Sequence, residues 1–155
     1  MHGLKYEGWR ELAPFMGDVM ARMELPPLTP NPLVVAIPTT PGRMRARGYN
    51  QAGLLAHRIA EVRRLPSAVA LVRTGASSSQ TALTPEQRRR NVRNAFAPAA
   101  DADRVRGRSV LLVDDVLTTG ATVSAAAEAL AELEAARVGV VTFARSLSNG
   151  ARRVA

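Results

Sequence analysis

Residues 110–122 read VLLVDDVLTTGAT, and this stretch decides the fold prediction. Its first four residues are apolar without interruption, which is typical of a strand buried on both faces of a parallel sheet. Such a strand delivers Asp114 and Asp115 to its carboxyl end, where open α/β sheets bind ligands. Two adjacent carboxylates at that position are costly unless sugar hydroxyls, a cation or arginines bind them. The acid pair therefore predicts a ligand site.

The residues that follow the acid pair predict an anion site. Thr118, Thr119, Ala121 and Thr122 are small, most of them carry hydroxyls, and they lead into a predicted helix. Gly120 lets the backbone approach a ligand closely, and successive amides at a helix N-terminus bind anions. An acid pair followed by such a turn suits a ligand that carries both ribose hydroxyls and a 5′-phosphate.

Three other interpretations fit parts of the same stretch. A Walker B strand also ends in acidic residues, but it needs a Gly-Lys-Ser/Thr loop, and the sole lysine, Lys5, lacks that context. A response-regulator pocket would place its acid pair after the first strand rather than before a Thr-Thr-Gly-Ala-Thr turn. An ordinary strand edge with solvated aspartates is the alternative that involves no ligand.

Composition places the chain among globular proteins. Its 155 residues fit one domain, with 46% hydrophobic and 22% charged residues. No run approaches the roughly 18 apolar residues of a membrane span, and the N-terminus lacks the order of a secretion signal, so a cytoplasmic protein is expected. There are no cysteines and only two histidines, His2 and His57. Disulfides and thiolate-bound zinc are thereby excluded, and a histidine metal site or hydrolytic triad is disfavoured.

The formal net charge of +8 comes almost entirely from arginine, since Lys5 is the only lysine. A basic surface attracts phosphates, nucleic acid and anionic lipid, and arginine recognises phosphate through planar, bidentate contacts. Coding bias and an ordinary solvated surface are the alternative explanation. If the charge reports a partner, it favours a weak contact with single-stranded nucleic acid.

Strands that alternate with helices predict an α/β fold with a mainly parallel sheet flanked by helices. Asn50 is placed to cap the second helix. The polar segment 73–94 is longer than an ordinary connection, and its part 85–92 is compatible with a helix. In chain order the predicted elements are helix 4–25, strand 33–37, a basic loop over 39–48, helix 52–64, strand 68–72, strand 109–113, helix 122–136 and strand 138–143.

Residues 110–122 resemble the signature of type I phosphoribosyltransferases, which is an apolar strand, two acids and a glycine-containing phosphate loop. More narrowly, the chain resembles the ComF family of competence-associated phosphoribosyltransferases. This resemblance covers most of the chain and rests on residues 2–6 (HGLKY), residues 47–51 (RGYNQ), Gln80 with Arg88 and Asn91, and the signature itself. It implies a type I phosphoribosyltransferase-like fold with a twisted sheet in a single domain over 1–155. The implied parts are a small N-terminal helical hood and connector (1–32), a core (33–145) and a tail (146–155).

The resemblance also implies roles for individual residues. Asp114 and Asp115 would hydrogen-bond the ribose hydroxyls directly or through Mg²⁺, which makes them the expected catalytic and metal-binding pair. Segment 73–94 matches the mobile catalytic loop in position, and there Arg88 would neutralise the departing pyrophosphate, worth about 3 kcal/mol for a good donor. A solvated helix face is the alternative for Arg88. The residues expected on the 5′-phosphate are Thr118, Thr119, Gly120, Ala121 and Thr122, and those expected on the pyrophosphate are Thr39, Thr40, Arg43 and Arg47, with Arg45 as an alternative.

Two functions are open at this point. In the first, the protein binds phosphoribosyl pyrophosphate (PRPP) with Mg²⁺ and transfers the phosphoribosyl group to an unidentified acceptor. An aromatic residue of the N-terminal region (Tyr6, Trp9 or Phe15) would then stack on an acceptor base or, alternatively, pack onto the sheet. In the second, the protein is a non-catalytic PRPP-binding or regulatory module that works with competence-machinery proteins in DNA uptake. A homodimer is compatible with both functions.

The chain departs from the ComF pattern in one respect. Proteins of this family commonly carry an N-terminal cysteine zinc module, and this chain contains no cysteine. Either the module was lost or the chain is truncated, and any function of that module is not expected here.

Overall fold

The computed structural model describes residues 4–28, 31–74 and 95–146. In chain order its elements are α1 (Leu4–Arg22), β1 (Leu33–Ala36), α2 (Pro41–Arg47), α3 (Gln51–Arg63), β2 (Ser67–Ala68), β3 (Leu71–Arg73), β4 (Phe96–Pro98), a 3-10 helix (Ala102–Val105), β5 (Ser109–Leu117), α4 (Ala121–Glu132) and β6 (Arg137–Arg145). No helix in these three ranges is long and apolar enough to cross a membrane.

The main sheet has four parallel strands in the order β2-β1-β5-β6. β1 and β5 are its central strands and pair with Val34 opposite Leu111. From β1 the chain continues through α3 to β2, whereas from β5 it continues through α4 to β6, so the two connections lead to opposite edges of the sheet. The point between β1 and β5 is therefore the topological switch point, where sheets of this kind bind ligands. The predicted α/β fold with a parallel sheet flanked by helices is confirmed.

The apolar run of β5 is buried on both faces because its side chains alternate between two cores. Leu111 and Val113 pack in one cluster with α1 and α3, to which Met20 and Ile59 belong. Val110 and Leu112 pack in the second cluster, with α4 and the β3–β4 pair. All four side chains of the run, Val110 to Val113, have 0% exposure. This burial fixes the position of the strand, and with it the position of Asp114 and Asp115 at its carboxyl end.

Residues 68–72, predicted as one strand, form parts of two sheets. Ser67–Ala68 pairs with β1 in the main sheet, whereas Leu71–Arg73 pairs antiparallel with Phe96–Pro98. The chain leaves the main sheet at Val69, whose backbone N–H donates to Asp101 Oδ2 at 2.9 Å. The prediction was wrong because β2 and β3 have only two and three residues, too few for a periodic pattern.

Residues 39–48, predicted as a basic loop, contain the helix α2. The Thr40 hydroxyl accepts a hydrogen bond from Arg43 N at 3.2 Å, which caps the first turn, and Pro41 starts the helix. Gly48 ends it in the left-handed conformation (φ 79°), and its N–H donates to Met44 O at 2.7 Å. The loop prediction was wrong because the basic character of the segment outweighed these end signals. None of the α2 residues is buried.

Two helix predictions need correction in detail. Asn50 stands at the N-cap of α3 but makes no capping bond with its side chain; its Nδ2 donates to Ile37 O at 3.0 Å instead. This bond holds the start of α3 against the end of β1. The last helix ends at Glu132 rather than at 136, because Glu134 adopts a positive φ of 61° that closes the helix.

The first helix ends at Arg22 rather than at 25 and lies on a sheet face, where Met16 and Met20 pack against α3. It runs antiparallel to the strands, since Pro26 contacts Gly139 near the beginning of β6 and Arg137 Nη1 donates to Pro27 O at 2.7 Å. The beginning of α1 therefore lies at the carboxyl end of the sheet. The division into hood, core and tail stays a prediction.

Candidate functional site

The cleft lies at the carboxyl ends of β1 and β5. Pairing between the two strands ends where Ile37 N donates to Val113 O at 2.9 Å, and β1 then turns away toward α2. β5 continues for four more residues beside β6, so its acid pair faces the space that β1 has left. The resulting cleft has a volume of about 490 Å³, within the range of roughly 300–1,000 Å³ typical of small-molecule sites. Its lining residues are Trp9, Ile37, Pro38, Thr39, Arg43, Arg47, Asn50, Gln51, Ala52, Arg73, Asp114, Asp115, Val116, Thr118 and Thr122.

The acid pair is held by its own backbone. Asp115 N donates to Asp114 Oδ1 at 3.0 Å, and Val116 N donates to Asp115 Oδ1 at 2.8 Å. Burial, together with the neighbouring Asp115 carboxyl, raises the pKa of Asp114 from 3.8 to about 6, while the hydrogen bond from Asp115 N and the Arg73 guanidinium act in the opposite direction. A carboxylate with a raised pKa is one whose charge lacks sufficient compensation. The pair is therefore suited to a cation or to several hydrogen-bond donors.

The turn after β5 leads directly into α4. Gly120 is its N-cap with φ 81°, a conformation that glycine adopts without strain, and Gly120 O accepts from Ser124 N at 2.8 Å. Thr118 and Thr122 line the cleft. Thr119 is exposed, and its hydroxyl accepts a weak bond from Ala121 N at 3.4 Å. Amides of the first turn of a 12-residue helix thus lie beside the acid pair, which is an arrangement that favours an anion.

Arginines from other elements give the cleft positive charge as well. Arg43 and Arg47 project from α2 and both line the cleft, as does Thr39. Arg47 Nη1 donates to Gln51 Oε1, which ties the end of α2 to the beginning of α3. Thr40 is not among the lining residues, since its hydroxyl accepts the capping bond from Arg43 N. Of the four residues expected on the pyrophosphate, three thus lie in the cleft and the fourth positions one of them.

The structure places Arg73 at the end of β3 in the cleft lining; the sequence analysis had it only as the first residue of the segment 73–94, with no role of its own. Its guanidinium carbon lies 5.3 Å from the centroid of the Phe96 ring, a cation–π distance that orients the side chain. Burial lowers the pKa of Arg73, the Arg43 charge lowers it further, and Asp114 raises it. The only sequence signal was a basic residue at the end of a short apolar run. Its meaning depended on the β3–β4 pairing, which was not predicted.

Asn50, Gln51 and Trp9 also line the cleft. Asn50 and Gln51 belong to the RGYNQ segment on which the resemblance rests, and Gln51 accepts a hydrogen bond from Arg47. Trp9 was considered only for an acceptor or for packing, and it is partly buried against the α1–α3 core cluster while it lines the cleft.

Several expected residues lie outside the described residues. Arg88, with its neighbours in 85–92, and the residues Gln80 and Asn91 all fall between the described ranges 31–74 and 95–146. Within the described ranges, no group of three or more His, Asp or Glu side chains could hold a metal ion. Any ion at Asp114 and Asp115 would therefore take further ligands from the substrate or from water.

Comparisons with known proteins agree with this geometry. The sequence pattern of the phosphoribosyl transferase domain matches residues 44–154. Competence protein F of Haemophilus influenzae is 33% identical over 114 residues, which are 73% of this chain and 50% of that protein. The DNA utilization protein YhgH of Escherichia coli (strain K12) is 36% identical over 115 residues, 74% of this chain and 49% of that protein. The chain thus spans about half the length of the curated relatives it matches.

Solved structures show the same fold. The glutamine phosphoribosylpyrophosphate amidotransferase from B. subtilis, complexed with ADP and GMP, superposes with a TM-score of 0.59 at 19% identity, covering 84% of this chain and 26% of that one. A glutamic acid mutant of HPRT, made at an invariant aspartic acid, superposes with a TM-score of 0.50 at 18% identity, covering 97% of this chain and 73% of that one. The predicted type I phosphoribosyltransferase-like fold and the resemblance to competence proteins are confirmed.

Proposed function

The chain belongs to the phosphoribosyl transferase domain family, and from this membership we propose that its cleft binds PRPP with Mg²⁺ and transfers the phosphoribosyl group to an acceptor. The observation that carries the proposal is that one cleft is lined by an acid pair, by two threonines of the turn that follows it and by three arginines. PRPP has the matching chemistry, since its ribose carries hydroxyls and one phosphate on one side and a diphosphate on the other.

The acidic side suits the ribose 5-phosphate half of the ligand. The carboxylates accept hydrogen bonds from the two ribose hydroxyls. These bonds stabilise the negative charge of Asp114, which burial disfavours. The amides of residues 118–122 and the hydroxyls of Thr118 and Thr122 donate to the 5′-phosphate at the N-terminus of α4. The ribose and its phosphate are thus gripped by one continuous segment, which holds the anomeric carbon in a defined position.

The basic side suits the diphosphate. Arg43, Arg47 and Arg73 approach it from α2 and β3, and guanidinium groups bind phosphate oxygens through paired donors. Charge grows on the diphosphate as the bond to the anomeric carbon breaks, so arginines placed there stabilise the transition state more than the ground state. Arg88 stays a predicted contributor to this side.

The residues present fit Mg²⁺. Asp114 and Asp115 would supply hard oxygen ligands of the kind that this ion takes from proteins. When bound, Mg²⁺ neutralises charge on the diphosphate. The residues of the chain then bind and orient the substrate and exclude water from it. Proton transfer needs no histidine among the described residues.

Isothermal titration calorimetry with PRPP in the presence of Mg²⁺ tests the proposal. We expect saturable heat with the parent protein and its loss in Asp114→Asn/Asp115→Asn, because the ribose hydroxyls and the ion lose their anionic partners. Asp103→Asn is the matched control, since Asp103 is an exposed acid in the 3-10 helix, away from the cleft lining. An absence of heat at millimolar PRPP, or an unchanged affinity in the double variant, would contradict the proposal.

The names of the relatives, competence protein F and DNA utilization protein, favour a second candidate. In that case the fold binds PRPP as a signal and acts through partners in DNA uptake without turnover. Release of pyrophosphate separates the two candidates: binding with no release against purine, pyrimidine and small-amine acceptors supports the module, and release supports the enzyme. Retention on single-stranded DNA that weakens with salt would add a nucleic-acid contact to either one.

A further inference from the structure

The helix α1 carries an apolar surface that does not belong to the core. Its inner side chains, such as Met20, pack against α3 and the main sheet. A helix that covers a sheet normally turns a polar face to solvent. Here the outer side chains include four large apolar residues, which form the outer stripe: Leu12, Phe15, Val19 and Met23. A continuous apolar surface of this kind indicates an interaction site.

The outer stripe follows one side of the helix. Its residues are separated by three, four and four positions, which places them in line over about three turns. α1 contacts the edge strand β6, where Phe143 is exposed as well. Phe143 shares a sheet face with Val141, which packs in the same core cluster as α1. Exposed apolar side chains thus lie both on α1 and on the edge strand beside it.

The charge of this region differs from that of the whole chain. The chain has a net charge of +8, but residues 10–24 contain two arginines and three acids. An acidic partner would be attracted to the basic surfaces of the protein rather than to this part of α1. Two copies of a basic protein repel each other least where both are locally close to neutral. The local charge therefore favours a second copy of this chain as the partner.

The charges beside the outer stripe are also self-complementary. Glu11 is exposed at its beginning and Arg22 at its end. Both lie on the same flank of the stripe, because eleven positions make about three helical turns. When two such helices pack antiparallel about a two-fold axis, the beginning of each stripe meets the end of the other. Phe15 then lies opposite Val19 of the second copy, and Glu11 lies beside Arg22 of the second copy, twice by symmetry.

The opposite edge of the main sheet is already covered. The Val69 N–H donates to Asp101 Oδ2 at 2.9 Å, and Arg104 Nη1 donates to Ser67 O at 2.9 Å. These side chains take the backbone groups of β2 that an added strand would use. A second copy therefore has better access to the α1 side of the molecule than to the β2 edge.

We propose that two copies of this chain form a dimer in which the outer stripes of α1 pack antiparallel about a two-fold axis. The second copy covers each stripe with apolar side chains and gives Glu11 and Arg22 a partner of opposite charge. The inference does not depend on the proposed function, since neither the stripe nor these two charged residues line the cleft.

Sedimentation equilibrium of the parent protein measures the association. We expect a species of twice the 16.6 kDa chain mass that dissociates on dilution. Phe15→Glu places a charge in the centre of the contact and should weaken association about a hundredfold. Val69→Glu is the matched control, since Val69 is 64% exposed but follows β2 at the opposite edge of the sheet; it should leave the dimer intact. Far-UV circular dichroism shows that each variant folds.

Charge reversal tests the partner and the orientation together. Glu11→Arg places two arginines side by side at both symmetric contacts, and Arg22→Glu does the same with two acids. Each single variant should associate about tenfold more weakly than the parent. The double variant Glu11→Arg/Arg22→Glu should recover the association. An equimolar mixture of the two single variants should recover it too, because one copy then supplies only arginines and the other only acids.

Each of the following results would overturn the inference. The parent keeps the mass of one chain up to millimolar concentration, or it forms a dimer that Phe15→Glu leaves intact. The mixture of the two charge variants associates no better than either variant alone, which excludes the antiparallel arrangement. A monomeric parent binds neutral phosphatidylcholine vesicles and Phe15→Glu does not, which assigns the stripe to a lipid surface instead.

Discussion

The segment from β5 to α4 and the helix α2 both line the cleft, but they are held in different ways. The apolar run before the acid pair has 0% exposure at Val110 to Val113, between two cores. α2 has no buried residue and is held at its ends, by the Thr40 cap and by Gly48. The acidic side of the cleft is thus continuous with the core, whereas α2, which carries Arg43 and Arg47, is held only at its ends.

In the proposed transfer reaction, this difference separates two tasks. The ribose has to be held still, because small displacements of the reacting carbon cost rate. The diphosphate has to leave, and a helix without buried contacts can move away at a small cost in free energy. We therefore expect substitutions along β5 to change the stability of the whole domain, and substitutions in α2 to change ligand affinity while they leave global stability nearly unchanged.

The largest effect is expected from a cavity in the buried strand β5. Leu111→Ala removes a side chain of 0% exposure between β5, α1 and α3, which should lower the free energy of unfolding by about 2–5 kcal/mol. Met44→Ala is the control in α2, where the side chain is 43% exposed; its effect should stay within about 0.5 kcal/mol. Urea unfolding measures both. Equal losses in the two variants would show that α2 is as firmly packed as β5.

The second prediction concerns the pH dependence of the acid pair. The folded protein binds the Asp114 proton more tightly than the unfolded chain does, because its pKa is about 6 instead of 3.8. The carboxyl therefore lowers stability as pH rises from about 4 to 6, and the penalty persists above pH 6. Asp114→Asn should stabilise the ligand-free protein at pH 8 by about 1–2 kcal/mol, less than the full shift implies because the group is partly exposed.

The gain in Asp114→Asn should shrink toward pH 4, where the parent carboxyl is protonated in the folded state. Thermal unfolding at a series of pH values follows it, with Asp103→Asn, at an exposed acid away from the cleft lining, as the control. For the same reason the affinity of the parent for PRPP and Mg²⁺ should rise with pH through about 6, because the ligand requires the carboxylate. A gain that is constant with pH would show that Asp114 does not carry the raised pKa.

Sequence reasoning succeeded where many residues agreed on one pattern. The strand, acid pair, turn and helix of residues 110–132 form one continuous signal, and four of the residues expected there, Asp114, Asp115, Thr118 and Thr122, line the cleft. The parallel sheet followed from the alternation of helices with apolar runs. In both cases local chemistry and tertiary burial favour the same structure, so the local pattern was sufficient.

Sequence reasoning failed where structure depends on partners distant in the chain. β3 has three residues and exists only beside β4, more than twenty positions later, so Arg73 was expected in the segment 73–94 without a strand or a role of its own. Asn50 was expected to cap its own helix, but the carbonyl of Ile37 competes for its side chain. Trp9 reaches the cleft only because α1 runs antiparallel to the strands. None of these contacts can be obtained from propensity or spacing in a single segment.

The smallest expected effects sharpen the comparison within α2 itself. Gly48 has φ 79° and open space around the position of a Cβ, so Gly48→Ala costs only backbone strain, about 1 kcal/mol. That strain loosens the C-terminal end of α2 next to Arg47 and should weaken PRPP binding about fivefold. The urea midpoint should fall by no more than this strain implies, because α2 has no buried residue to lose.

Gly42 provides the matched control, since it lies in the same helix and also has open space around its Cβ position, but has no positive φ. Gly42→Ala should therefore favour the helical conformation of α2, by up to about 0.5–1 kcal/mol, and leave PRPP affinity equal or slightly tighter. Both variants add one methyl group to α2 or its end. Calorimetry therefore compares the effect of backbone strain at Gly48 with the effect of helix propensity at Gly42 on PRPP affinity. If both alanines weaken binding alike, α2 has to leave its helical form to hold the diphosphate, and the end-capped helix belongs to the ligand-free protein alone.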